Sequence, residues 1–106
     1  MLEIPFSDAP AQVFQTELDG RRLEFTALWN DRSNVWTMDI ADAITGEVLA
    51  KSLPIVLGQD ILAAYNFGLG ALVAVDTGNT GMDAGPDDLG QRVKVWWMSP
   101  EELLTD

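Results

Sequence analysis

Two alternating runs joined by a turn dipeptide are the feature that most constrains the fold of this chain. They occupy residues 11–30, AQVFQTELDGRRLEFTALWN, and meet at Asp19-Gly20. This dipeptide is favoured where a two-residue hairpin requires positive backbone φ angles. The second run places four apolar residues on one face, with Leu28 as the exception on the other: Leu23, Phe25, Ala27 and Trp29. The segment therefore predicts a β-hairpin with one buried face.

Further strand-like segments follow along the chain. VWTMDIAD places Trp36, Met38 and Ile40 on one face, and EVLAKSLPIVL continues in short extended pieces. Pro54 marks an edge, a bend or a strand start, because proline cannot donate to a sheet ladder. ALVAVD predicts a buried strand, and QRVKVWWM predicts the closing strand.

Two short helical segments complete the predicted elements. GQDILAAYNFGLG, residues 58–70, has Asp60 as a possible cap and Gly68 as a possible end. SPEELL predicts a C-terminal helical turn. About six short strands with so little helix predict an all-β fold, a small antiparallel β-barrel or sandwich. Residues 1–106 are expected to form a single domain, since this length suits one core.

The charge balance narrows the class of partner. The chain carries 17 Asp and Glu against 6 Lys and Arg, a formal net charge of −11. A phosphate backbone or an anionic membrane surface would repel such a protein. We therefore expect no nucleic-acid partner and no membrane partner, and a basic or mixed-charge protein is the natural complement. The start of the sequence, MLEIPFSDAP, has no signal-peptide pattern, so cytoplasmic synthesis is expected.

The residue inventory argues against catalysis. The sequence has no cysteine and no histidine, which removes thiolate nucleophiles, the usual zinc ligands and the commonest general base. Asp39 and Asp42 could be imagined as the acid and base of a small hydrolase. The alternation turns Asp39 away from the apolar face, and Asp42 precedes a turn at Gly46, so structural roles are expected for both. No catalytic residue and no cofactor are predicted.

The segment 77–88 is rich in glycine and aspartate and predicts a long loop. Its oxygen-bearing side chains and their neighbours are of the kind that calcium prefers: Asp76, Asn79, Asp83, Asp87 and Asp88. Their spacing does not follow the EF-hand pattern, because Gly78 occupies the second ligand position. A solvated loop that orders on contact with a partner is therefore favoured over a cation site.

The adjacent tryptophans of VKVWWM raise the question of what covers each ring. Successive strand residues point to opposite faces, so Trp36 and Trp97 can fill a core while Trp96 lies outside it with Lys94 and Met98. Either a helical segment of the same chain covers Trp96, or Trp96 anchors an interface. The candidate interaction residues are Ile4, Phe6, Trp29, Lys94, Trp96 and Met98.

Several segments, taken in order, resemble the small baseplate plug proteins of contractile-tailed phages, a family first described in a cyanophage. They are EIPFSDAPAQVFQTELDGRRLEFTALWND, WTMDIADAITGEVLAKSLPIVLGQDIL, NFGLGALVAVD and DDLGQRVKVWWMSPEEL. The most recognisable pieces are the IP start, the LDGR hairpin, the WTMDI strand and the GQDIL turn. Nearly the whole chain takes part in the resemblance.

The resemblance implies a small β-barrel that serves as a structural component of the virion. It implies a position in the inner baseplate near the tail tube and hub, several copies per virion, no enzymatic activity, and contacts with other baseplate, hub and tail-tube proteins. Assembly would take place in the host cytoplasm. The alternative is a free cytoplasmic binding or inhibitor protein whose acidic surface blocks a basic partner.

Overall fold

The strands of the chain form two antiparallel sheets around a shared hydrophobic core. The computed structural model describes residues 2–18, 20–58, 60–62 and 70–99. Within these ranges the elements are β1 (Leu2–Ile4), β2 (Ala11–Leu18), β3 (Arg21–Asn30), β4 (Val35–Asp42), β5 (Val48–Pro54), β6 (Ala71–Asp76) and β7 (Val93–Met98). One sheet has the order β1-β7-β6 and the other has the order β2-β3-β4-β5.

The predicted hairpin is confirmed as β2 and β3. Their pairing runs without a break from Ala11 opposite Leu28 to Leu18 opposite Arg21. Gly20 in the turn has a φ angle of 79°, which is the conformation that favours glycine. The buried face of β3 is the predicted one, and Leu28 is exposed on the other face.

The two tryptophans predicted as core fillers are both buried. Trp36 is fully buried in β4, and its indole N–H donates to the carbonyl oxygen of Gly85 at 2.8 Å. Trp97 lies on the inner face of the other sheet. The core cluster draws large side chains from both sheets and from the segments between them, including Ile4, Phe25, Met38, Leu62, Leu72, Leu89 and Val95.

The architecture is a sandwich and not the closed barrel that the family resemblance implied. After β5 the chain crosses to the other sheet, where Leu57 and Asp60 form single bridges to Ala74 and Val73 of β6. These isolated bridges do not make a ladder, and no strand pair in the described ranges joins β1 to β2. The sheets therefore pack as two layers, which is the sandwich alternative of the all-β prediction.

The helix predictions fall mainly outside the described residues. This applies to most of 58–70 and to the C-terminal turn beyond Ser99. The described ranges contain no helix, and none of their elements could span a bilayer as a helix. The Asp60 carboxylate accepts hydrogen bonds from the N–H groups of Leu62, at 2.9 Å, and Leu72, at 3.1 Å. Asp60 thus joins its segment to the start of β6.

Candidate functional site

The outer face of the β1-β7-β6 sheet carries three of the predicted interaction residues. Trp96 lies directly opposite Glu3 of β1 and Val73 of β6, and Lys94 lies opposite Val75. We call this surface the Trp96 face and define it by Glu3, Val73, Val75, Lys94, Trp96 and Met98. Trp96, Met98 and Val73 are half-buried and Val75 is exposed. An aromatic ring with aliphatic neighbours and a charged margin is the composition of an interface core with a polar rim.

Lys94 and Glu3 form the charged margin of the Trp96 face. The Lys94 Nζ lies 3.9 Å from Glu3 Oε1, and both side chains are about one-third exposed. An exposed ion pair at this distance contributes little to stability, about 0–1 kcal/mol. Both charges therefore remain accessible at the edge of the Trp96 face.

The N-terminal residues Ile4 and Phe6 are covered by the chain itself. Residues Leu2–Ile4 form strand β1, which pairs with β7. Ile4 is buried, and the Phe6 ring packs edge-on against Phe14 with centroids 5.1 Å apart. The structure thus separates these two residues from the outward ones and places them in the core.

Trp29 lies in the other sheet, away from the strands of the Trp96 face. Its ring is tilted against Trp36 with centroids 5.8 Å apart, and its indole N–H donates to Asp31 Oδ1 at 2.6 Å. Trp29 is half-buried at the margin of the core. The six candidate residues therefore divide into a core pair, a separate tryptophan and the Trp96 face.

Both strand carboxylates considered for catalysis bind backbone amides. Asp39 Oδ1 accepts from the N–H of Ser52 at 2.7 Å. Asp42 Oδ1 accepts from the N–H groups of Ile44, at 2.8 Å, and Thr45, at 3.0 Å, and these bonds hold its pKa below the ordinary value. The turn role predicted for Asp42 is confirmed.

An internal guanidinium organises the loop 77–88. Arg92 Nη1 lies 2.8 Å from Asp76 Oδ1, and Arg92 Nη2 donates to Asp88 Oδ2 at 3.1 Å. The same guanidinium donates to the carbonyl oxygens of Met82, at 2.9 Å, and Asp83, at 3.0 Å. The loop therefore has internal support from a cation that belongs to the chain. Within the described residues, no group of three or more acidic side chains is arranged to hold a metal ion.

Asp76 is the carboxylate that accepts the most hydrogen bonds in this network. Its carboxylate accepts hydrogen bonds from the N–H groups of Gly78, Thr80 and Gly81 and from the Thr80 hydroxyl. Burial opposes ionisation, but the bonds from Thr80, Arg92 and the loop amides outweigh it, so the pKa of Asp76 lies well below its usual range. Hydrogen bonds from Arg92 and Gly85 likewise lower the pKa of Asp88.

These shifts predict that acid weakens the loop network. Because folding lowers the pKa of Asp76 and Asp88, their ionised forms stabilise the native state at neutral pH. That contribution is lost as the pH falls below about 4, the unfolded carboxyl range. Thermal unfolding between neutral pH and pH 2 should show a steeper acid loss in the parent chain than in Asp76→Asn. Asp87→Asn, an exposed position in the same loop, is the control and should retain the parent slope. Equal slopes for all three chains would contradict this account.

The sequence matches a known family over almost its whole length. The family model described as the cyanophage Pam3 baseplate plug gp18 matches residues 1–101. The chain belongs to this baseplate plug family. A search of curated proteins finds no match.

Membership of the plug family bears on the role of the outward-facing side chains. A baseplate plug is a structural protein of the phage particle, and this family role implies contacts with other baseplate components. For a plug-family chain, partly exposed aromatic and aliphatic side chains on a sheet face are candidates for burial by a neighbour. The Trp96 face combines such side chains with a charged margin.

Proposed function

We propose that this plug-family chain is a non-enzymatic structural component of a contractile phage tail. It lies in the inner baseplate near the tail tube and hub, and protein–protein contacts hold it there. Its partners are other baseplate, hub and tail-tube proteins, several copies are present per virion, and assembly takes place in the host cytoplasm. The family match over residues 1–101 is the observation that carries the proposal.

The surface chemistry supports contacts with proteins. The net charge of −11 disfavours nucleic acid and anionic lipid, and it favours partners with basic or mixed surfaces. The Trp96 face supplies the anchor, since tryptophan is enriched among the residues that dominate binding energy. The separate tryptophan Trp29 is a second candidate contact, because it is only half-buried.

Mass spectrometry of purified virions tests the proposed role. The chain should be found in the particle and should remain with the baseplate fraction after tails are disassembled. Recovery of the protein only in the soluble lysate, apart from virions, would contradict the proposal and favour the free binding or inhibitor protein.

The Trp96 face makes a separate prediction about incorporation. Trp96→Ala should leave the free chain folded but lower its incorporation into baseplates by about tenfold, because a buried interface tryptophan is commonly worth more than 1 kcal/mol. Quantitative mass spectrometry of the particles measures the loss. Ile44→Ala is the control, since it removes an exposed apolar side chain from a turn in the other sheet. Equal incorporation of both variants would exclude Trp96 as the anchor.

A further inference from the structure

The four outer edges of the two sheets are protected to different degrees. An exposed strand edge presents unpaired backbone groups, and proteins usually block such edges. β1 has only three residues, and the outer edge of β6 is bridged by Leu57 and Asp60. The pairing of β5 is interrupted by register shifts, and Ser52 within it has a φ angle of 56°. β5 also ends at Pro54. These three edges are therefore short, covered or irregular.

β2 is the contrasting edge. It has eight residues without proline or glycine, and its register with β3 is continuous. The N–H of Trp29 donates to the carbonyl oxygen of Pro10 at 2.9 Å. This bond shows which alternate residues of β2 direct their backbone groups toward β3. Because inward and outward backbone groups alternate in an antiparallel pair, Gln12, Phe14 and Thr16 bond to β3. The N–H and C=O groups of Val13, Gln15 and Glu17 point away from the sheet, and no backbone group in the described ranges pairs with them.

The side chains beside this edge are apolar on both faces at one end. Val13 is 61% exposed on the outer face, where it lies diagonally from Leu28, which is 47% exposed. Phe14 is half-buried on the inner face and stacks on Phe25 with ring centroids 5.6 Å apart. At the other end Glu17 is exposed, and it lies opposite Arg22 of β3 on the same face. A strand added here would cover Val13 and Phe14 together and would meet a carboxylate four positions from Val13.

The negative charge of the chain favours a basic partner strand over a second copy of the chain. A second copy of the chain would bring a further −11 charge to the interface. A segment with basic residues would instead be attracted to the acidic chain, and its cation would meet Glu17 on the side away from Arg22. Backbone hydrogen bonds supply affinity in strand addition, and alternate side chains supply specificity.

We propose that the edge of β2, which is unpaired within the described residues, accepts an extended, net basic segment of another baseplate protein as an added antiparallel strand. The segment carries apolar residues beside Val13 and Phe14 and a lysine or arginine opposite Glu17. This inference rests on the proposed baseplate role and names the chemistry of one partner. It is independent of the Trp96 face, which belongs to the other sheet.

A photo-crosslinker identifies the occupant in assembled particles. Benzoylphenylalanine placed at Val13 should crosslink to an extended, lysine- or arginine-containing segment of a different baseplate protein. The control position is Lys51, which is exposed on the irregular β5 edge and should not yield that product. A crosslink from Val13 to a second copy of this chain, or none above the Lys51 level, would overturn the proposal while the chain remains in the virion. Absence of the chain from virions would remove the baseplate role and this inference with it.

A backbone variant tests strand addition itself. Gln15→Pro removes an outward N–H and leaves the bonds between β2 and β3 intact, since proline is tolerated on edge strands. Incorporation should fall about fivefold relative to Gln15→Thr, the value for one lost interface hydrogen bond. Equal incorporation of the two variants would overturn the proposal. If Gln15→Pro fails to fold, hydrogen exchange of the parent chain decides, since the Val13, Gln15 and Glu17 amides should gain protection only after assembly.

Discussion

Gly90→Ala is expected to lower the free energy of unfolding by more than about 3 kcal/mol, enough to leave much of the chain unfolded. Gly90 has a φ angle of 77°, and a Cβ atom at this position would overlap the backbone carbonyl of Phe6. Its own N–H donates to the carbonyl oxygen of Val93 at 2.8 Å, so the backbone cannot move away without breaking this bond. The close approach of the segment after β1 to the turn before β7 therefore requires glycine at position 90.

Gly81→Ala is the matched control for Gly90→Ala. Gly81 has a φ angle of 73° in the same loop region, but a Cβ atom there would meet no atom within 4 Å. It should therefore lose only the conformational term of about 1–2 kcal/mol. Urea unfolding of both variants measures the difference. Equal losses would show that the close approach of Phe6 to Gly90 is not a constraint.

Trp36→Ala is expected to cost about 3–5 kcal/mol, the range for deleting a large buried aromatic side chain. Trp36 is fully buried, contacts Trp29 and donates to Gly85, so its loss opens a cavity and leaves a carbonyl without its donor. Trp36→Phe retains a ring and should cost less, about 1–3 kcal/mol for the lost hydrogen bond. The unfolding free energy of each variant, from denaturant titration, checks the order.

Trp96→Ala is the control for the two Trp36 variants. Trp96 is half-buried on the outer face of the other sheet, so its truncation should cost much less stability than Trp36→Ala. The two substitutions should thus have different effects, because Trp36 is required for folding and Trp96 for incorporation into baseplates. A free chain destabilised equally by both substitutions would show that the Trp96 ring is part of the core.

Local patterns predicted the parts of the fold that depend on neighbours in sequence. The hairpin at Asp19-Gly20 and the inner face of β4 follow from alternation and turn chemistry, and both are confirmed. The placement of Trp97 inside and Trp96 partly outside follows from the two-residue period of a strand. These predictions need no knowledge of which strands pair at a distance.

The contacts that were not predicted from the sequence join segments that lie far apart along the chain. β1 pairs with β7 from the opposite end of the described chain, and three residues of LEI carry no signal for that partner. Arg92 lies beyond the loop that it organises. The glycine-rich composition of 77–88 predicted a solvated loop and gave no sign of the hydrogen bonds that Arg92 makes there. The available signal was one arginine following a run of acidic residues, which indicates a charge partner but not its geometry. The open edge of β2 likewise becomes visible only once the sheet order is known.

A cryo-EM reconstruction of the assembled baseplate would show both where this chain lies and whether a neighbour covers Trp96. Density for this chain is expected in the inner baseplate, with the Trp96 ring covered by a neighbouring polypeptide. A reconstruction in which every copy leaves Trp96 and the β2 edge facing solvent, or in which the chain is absent, would contradict this expectation.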